Sequence, residues 1–545
     1  MDIEAQNIYG RIHSRQVRLL KFLPDDERTS IVFEAHSSMG QCPRIVHFPQ
    51  SFVQVLRSNK TMCDGRWWID YLCINQADLV ERAEQVRLMQ QVYDRAHEVI
   101  NLLSRKWWSR VWTIQEFVIS RNLMFWCGLQ EASKAALCNS IAVADKYTSV
   151  GIKETIAFRY GLNRKRVWNL YEAQVKGCPQ ITRTLLSLAA YFCSMDITDD
   201  RDRLYGMIAM ATDGSSLLNV DYSLTCEEVY LRFAQAFITQ HKSLDIICFA
   251  TIHKAISGSS LPSWVPDWHW RNAYHVTPLI VSQSHNDQIG NPRSPRYVGD
   301  GPYVHFSASK GKSAVYKFNH SQLLVQGVVV DTVDGISASK GAPFVQSSDE
   351  NLPSPSISYT EILESICQAL ALDCKDRFLR HPMSVEEFFY DFIRLCIPLL
   401  RVDSTASTLT ALEEWFQRTR LLRIQGSTFD SILGDHYQSS IDLSGPAPNN
   451  DEFILDSFID RFFDTVIRLS LRLMVTQAGR IGMVSEQATK GDLICVLYGC
   501  SVPVLLRKVS NSERFSFIGE CFLENYMNGQ ALDQTELLEQ TFCLQ

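Results

Sequence analysis

The sequence has no pair of cysteines with two residues between them, although it carries 16 cysteines in 545 residues. That spacing is what a zinc knuckle or a dithiol redox motif needs. Many cysteines sit inside apolar stretches such as DIICFATI (245–252) and DLICVLYGC (492–500). They read as reduced core cysteines of an intracellular, cytoplasmic protein, with no metal site. No run approaches the ~18–20 apolar residues of a membrane span. The stretch MDIEAQNIYGRIHSRQVRLL has acidic residues and no apolar centre, so no secretory leader is expected. Nor is there a basic excess. A net charge of −7 and an isoelectric point near 6.0 leave no electrostatic footprint for nucleic acid. The common catalytic signatures are missing too, with no HExxH and no GxSxG. Gly311-Lys312-Ser313 has Phe306 where a phosphate loop needs glycine, and Gly299 and Gly301 are followed by Val304 in place of a third glycine.

What is present is ordinary globular material, 46% hydrophobic and 21% charged, enough for two to four folded units at ~100–200 residues each. The stretch WWIDYLCINQADLVERAEQVRLMQQVYDRAHEVI (67–100) is the most informative. From Trp67 to Ile74 both alternating faces are apolar apart from Asp70, which predicts a strand covered on both sides, as in a parallel sheet. Asp78 is placed to cap a helix, with Glu81 three residues on completing a capping box. Leu79, Ala83, Val86, Val92, Ala96 and Val99 then recur at helical spacing, and VINLL reads as a second strand. In such a βαβ pattern ligands bind beyond the carboxyl end of the strand, where Asn75 and Gln76 stand. The alternative is structural: Asp70 pairing with Arg82 or Arg110, and amides satisfying loose backbone groups.

In KWWSRVWTIQEFVIS (106–120), Trp112 and Glu116 are four residues apart, on one helical face, among Val111, Ile114, Phe117 and Val118. A glutamate in such company has its charged form disfavoured, which suits an acid, a base or a transition-state partner. The alternative is an ion pair to Arg110 or Arg121. Downstream, LPSWVPDWHW (261–270) reads as a tryptophan-rich loop packed over a core. Residues 281–305 and 335–357 read as loop-rich. SVEEFFYDFIRLC predicts a helix with a capping box at Ser384 and Glu387. Leu455, Phe458, Phe462, Val466, Leu469 and Leu473 are expected to share one helical face. GRIGMVSEQATKGDLICVLYGCSVPVLLRKV and RFSFIGECFLE predict short strands joined by turns.

These stretches together resemble the fungal heterokaryon-incompatibility (HET) domain family. WWIDYLCINQADLVERAEQVRLMQQVYDRAHEVI and WWSRVWTIQEF are similar to its central and closing motifs. DDRDRLYGMIAMATD, VDYSLTCEEVYLRFAQ and LPSWVPDW resemble the segment that usually follows, and GRIGMVSEQATKGDLICVLYGCSVPVLLRK with FIGECFLENYMNGQA the family's C-terminal β region. The resemblance covers about two-thirds of the chain. It implies a TIR-like α/β domain over 1–130 (a parallel sheet with flanking helices), a mainly helical associated region over 131–280, a loop-rich linker over 281–357, a helical region over 358–475 and a small β-meander or barrel over 476–545. The N-terminal part of the domain reads as truncated, since TSIVFEAHSSMGQCPRIVHFPQSF lacks the Ser-x-x-Trp-Gly-like motif of the family's first strand.

The family implies fungal nonself recognition leading to regulated cell death, through a protein partner or self-association, with no cofactor required. Some TIR domains hydrolyse NAD, and a Trp-x-x-x-Glu spacing carries their catalytic glutamate. By that analogy Glu116 is the catalytic candidate and NAD a substrate, with Asp70, Asn75, Gln76 and Trp112 lining the ligand crevice. Glu81, Arg82, Arg110 and Gln115 are then structural members of the motif. A third reading makes the chain a non-toxic accessory protein beside a secondary-metabolite pathway.

Overall fold

The computed structural model describes residues 20–21, 30–33, 44–47, 66–68, 74–75, 77–95, 99–102, 107–127, 130–139, 163, 166–171, 173–174, 183–254, 259–269, 277–284, 286–289, 306–339, 341–348, 358–374, 385–401, 410–440 and 457–545. The chain divides into two compact units, one built from 1–176 with 194–229 and the other from 177–193 with 230–545.

In the first unit, strands β1 (Leu20–Lys21) and β4 (Arg66–Trp67) pair antiparallel, as do β2 (Ser30–Phe33) and β3 (Arg44–His47). Helix α1 (Leu79–Arg95) is followed by β5 (Val99–Leu102), α2 (Thr113–Ile119), β6 (Leu123–Cys127) and β7 (Gln130–Ser133). β5 and β6 run parallel, Val99 opposite Leu123, and β7 returns antiparallel along β6. The expected helix and second strand are thus present, joined to a parallel partner. Two details differ from the helical spacing expected for α1. Its buried face is Ala83, Val86, Met89 and Tyr93, while Leu79 at its first turn is exposed. And although Asp78 accepts from the backbone of Val80 and Glu81, the Glu81 carboxylate reaches past the cap to the Asn75 N–H, at 2.8 Å. The cap is therefore shared with the preceding loop rather than closed on itself.

Around α2, Trp107, Trp108, Phe117 and Phe125 pack edge to face or tilted, with ring centroids 4.6–6.4 Å apart. Each of these rings is almost wholly withdrawn from water, a contribution of about 2 kcal/mol or more apiece. The segment after α2 in space is distant in sequence. The Val111 N–H donates to Asp196 O at 3.1 Å, and helix α3 (Asp202–Ile208) brings Gly206 against Val111. A Cβ at Gly206 would stand 3.2 Å from the Val111 side chain, so this close approach uses the missing side chain.

The second unit is organised by an antiparallel ring. Strands β12 (Arg472–Thr476), β13 (Ile481–Val484), β16 (Arg514–Leu523), β15 (Val504–Lys508), β14 (Leu493–Leu497) and β9 (Gln322–Ile336) pair in that order, and β12 pairs back onto β9. β8 (Tyr316–Asn319) and β17 (Glu539–Leu544) extend β9. Register shifts in the β12–β9, β14–β9 and β15–β16 ladders bend the strands as closure requires. Every ring strand gives to one apolar core, including Val328, Val333, Met474, Val484, Val496, Leu505 and Leu523. The expected small C-terminal β region is there, but larger, because β8 and β9 come from residues read as loop-rich linker. Helices Leu185–Tyr191, Tyr359–Ala371, Val385–Cys396, Ala411–Thr419 and Phe429–Ser440 complete the unit, with helix Cys226–His241 from Tyr230 onward.

The single helical face expected from Leu455 to Leu473 does not form. Helix Phe458–Phe462 passes into a π turn over Phe463–Arg468. Ser470 then adopts φ 54° and Leu473 lies on β12, where it pairs with Met483. Leu455 and the Ser384 cap lie outside the described residues. Trp264 and Trp268 of the tryptophan-rich loop are fully buried, as core packing predicts.

Candidate functional site

The residues singled out in the sequence fall into two groups around α2. On one side is Glu116, 6% exposed on the first turn of α2, whose Oε2 accepts from Trp107 Nε1 at 2.7 Å. Trp107 is held by its own carbonyl, which accepts from Thr113 Oγ1. Neither expected arginine plays the partner here, since Arg110 is exposed and Arg121 pairs with Asp94 at 3.0 Å. Gln115, also buried, donates from Nε2 to Gly206 O at 2.9 Å, fixing α2 to α3. Asn75 turns its side chain onto its own loop, accepting from the Ala77 N–H at 3.1 Å. Asp70 and Gln76 lie outside the described residues.

On the other side is a half-buried cluster of charges around the buried Asp202. Arg82, projecting from α1, stands 3.2 Å from Asp199 and 3.6 Å from Asp202, with its guanidinium 3.7 Å from the Tyr222 ring centre. Tyr222 donates to Asp202 Oδ1 at 2.5 Å, and the Trp112 indole stands close enough to the same carboxylate to favour its charged form. Arg201 grips Asp199 with two parallel bonds of 2.9 and 2.8 Å and gives its remaining donors to the Tyr222 and Leu224 carbonyls. Arg87 donates to Val220 O from the same helix. The cluster thus ties α1 and the start of α2 to two segments more than a hundred residues downstream of α1.

Its two carboxylates are pushed apart electrostatically. Burial raises Asp202 to about 6, against the Tyr222 hydrogen bond, the Arg82 charge and the Trp112 indole. Burial acts on Asp199 as well, but there the bonds from Arg201 and the charge of Arg82 together prevail and hold it below the ordinary range. Burial first, and then Asp202, drive the Tyr222 phenol well up, so it stays a donor. Such an array can take up a proton at Asp202 as pH falls toward about 6, while Arg82 and Arg201 keep Asp199 charged.

Of the sequence-derived candidates, Arg82 and Trp112 meet in this cluster, while Glu116 and Gln115 serve the aromatic side of α2. Asp199, Arg201, Asp202 and Tyr222 were not anticipated as site residues. The signal was available: DDRD is a dense charge run directly entering an apolar helix, and such a run inside a fold needs partners. Among the described residues no group of histidines, cysteines and carboxylates is arranged to hold a metal ion, and no helix is long and apolar enough to cross a membrane.

Comparison with known proteins adds two segment matches. Residues 24–104 match the family model described as heterokaryon incompatibility protein (HET), and residues 454–544 match the Het-6 beta-barrel domain. The first match includes α1 with Arg82, and the second contains five of the six ring strands. The chain is also similar to heterokaryon incompatibility protein 6, OR allele, of Neurospora crassa, with 23% identity over 349 residues, 46% of this chain and 50% of the relative. It therefore spans about half the length of that curated relative. No solved structure matches.

Proposed function

The chain belongs to the heterokaryon-incompatibility family, and from that premise we propose that it acts in fungal nonself recognition, triggering regulated cell death through a protein partner or through self-association. The observation that carries this reading is the co-occurrence of the two matched segments, 24–104 and 454–544, in one chain. The cluster built on Arg82 supports it physically. It makes the matched N-terminal segment one cooperative piece with residues 199–222, so that a binding event on either can be felt by the other. Induced expression in a fungal host tests the proposal. Loss of viability with soluble full-length chain is the expected result. Unimpaired growth at the same protein level would instead favour the non-toxic accessory role.

A second reading is favoured by the Trp112–Glu116 spacing on α2: a TIR-like domain hydrolysing NAD, with Glu116 engaging the ribose as the nicotinamide bond loosens. Against it stands the setting of Glu116, which is withdrawn from water and engaged by Trp107. Fold analogy alone does not confer activity. Glu116→Gln keeps an acceptor for the Trp107 indole while removing the carboxylate, so it separates hydrolysis from packing. Hydrolysis by the wild type that the variant loses would establish this second reading.

A further inference from the structure

The second unit contains two thiols that the incompatibility reading does not use. Cys248 lies on the 3-10 segment Asp245–Thr251, and Cys500 lies in the turn that follows β14. They are 252 residues apart in sequence, yet their sulfurs stand 3.9 Å from each other, both with no exposure to water. The backbones that carry them are pinned together on either side. The Leu244 N–H donates to Gly499 O at 2.7 Å, and Asp245 accepts from both the N–H and the hydroxyl of Ser501, each at 2.7 Å. Asn286 Nδ2 adds a third bond to Asp245 at 2.6 Å. Gly499 itself adopts φ 85°, and a Cβ there would strike the Ala314 backbone at 2.5 Å, so the turn has one available path.

We propose that Cys248 and Cys500 form an oxidisable dithiol, which a small-molecule disulfide of the glutathione type converts into a bond stapling the Asp245–Thr251 segment to the β-ring. The reaction balances in two exchanges. The Cys248 thiolate attacks the small disulfide, forming a mixed disulfide and releasing one small thiol. The Cys500 thiolate then attacks the Cys248 sulfur, forming the protein disulfide and releasing the second. Two electrons and two protons pass from the protein thiols to the oxidant. The ring loses no pairing, because neither cysteine belongs to a strand.

The surroundings set the rate. Burial, the contact with Cys500, and the nearby Glu520 and Asp245 carboxylates all hold the Cys248 thiol far above the usual range. Attack is therefore slow in the closed unit and speeds up whenever the contact between Leu244 and Gly499 opens. Because the link would close a very long loop, oxidation is expected to raise the thermal midpoint by about 5 °C.

The test uses the full chain, reduced and then held in oxidised glutathione, with and without a low concentration of urea. Non-reducing digestion and mass spectrometry should recover the Cys248 and Cys500 peptides linked, two hydrogens lighter than their sum. Urea should accelerate linkage, and dithiothreitol should reverse both the link and the gain in thermal midpoint. Cys500→Ala should abolish that gain while leaving the reduced protein's midpoint nearly unchanged; should the variant fail to fold, peptide mapping of the wild type still decides. Glutathione found only on other cysteines, or links between Cys495 and Cys521 or between Cys367 and Cys396 in place of this pair, would overturn the proposal.

Discussion

The Arg82 cluster of the first unit and the Arg472 and Arg461 sites of the second hold charge by different means. In the first, Asp199 and Asp202 meet Arg82, Arg201, Tyr222 and Trp112, so charge answers charge and side chain answers side chain. In the second, the buried Arg472 guanidinium is spent on the carbonyls of Ser337, Pro343, Glu486 and Ala488, and Arg461 on Ala371 O and Gln283 Oε1. The buried Glu520 carboxylate likewise takes the N–H groups of Ile280 and Val281, at 3.1 and 2.8 Å. A charge bound to backbone fixes the course of a loop. A charge bound to another charge makes two segments answer to each other, and to pH. The first arrangement suits a scaffold and the second suits a responsive module.

Removing the cations is the strongest way to break this contrast. Arg472→Ala should cost the most, on the order of 4 kcal/mol, because four carbonyls lose their donor at once. Its effect should be local to the ring, read as faster hydrogen exchange in β12 and around 337–343. Arg82→Ala should cost about 3 kcal/mol, since Asp199 keeps Arg201 but Asp202 loses its ion-pair partner. Here exchange should rise in two places far apart in sequence, along α1 and across 199–222, which a purely local packing role would not produce.

A change of pH sharpens the comparison without a mutation. The Asp202 pKa is raised to about 6 in the folded chain, from an ordinary 3.8. Between those values the folded state binds more protons than the unfolded one, so this group's contribution to stability falls as pH rises from about 4 to 6. Asp199 acts in the opposite sense: its pKa is lowered, and its contribution is lost as pH drops below the carboxylate range. Asp202→Asn should remove a decline on the order of 2 kcal/mol over that window. Urea unfolding of the two proteins at pH 4.5 and pH 6.5 measures it. The smallest effect is expected at the rim of the ring, where Arg480 pairs with Asp331 at 2.6 Å but is itself more than a third exposed. Arg480→Ala should change stability by only about 0.5 kcal/mol, seen as a barely moved urea midpoint.

How far these features could be read beforehand varied with the range of the interaction that makes them. Helix α1, strands β5 and β6 and the late strands are written in local periodicity, and they form. The interior of β9 follows a Ser- and Gly-rich stretch, and apart from the adjacent β8 its partners lie some 140 to 220 residues later, so little nearby announces a long strand. The run from Phe458 to Leu473 misleads for the opposite reason. Its helical spacing is genuine, yet Leu473 lies on β12, where it pairs with Met483, and pairing overrides period. At the site, Arg82 and Trp112 were visible as motif residues, but their partners Asp199 and Asp202 become identifiable only once the fold brings 199–222 against α1. Glu116 is the catalytic candidate by the Trp-x-x-x-Glu analogy; that its carboxylate is engaged by the Trp107 indole, nine positions earlier, is something no spacing rule supplies.

If the chain acts as proposed, the charge cluster around Arg82, rather than chemistry at Glu116, carries that activity. The most direct measurement is the viability of a fungal host after induced expression of the wild type, Arg82→Ala and Glu116→Gln, compared at equal levels of soluble full-length chain. The account predicts that the wild type and Glu116→Gln kill and that Arg82→Ala does not. Killing by Arg82→Ala together with survival under Glu116→Gln would contradict it and return the glutamate to the centre of the mechanism.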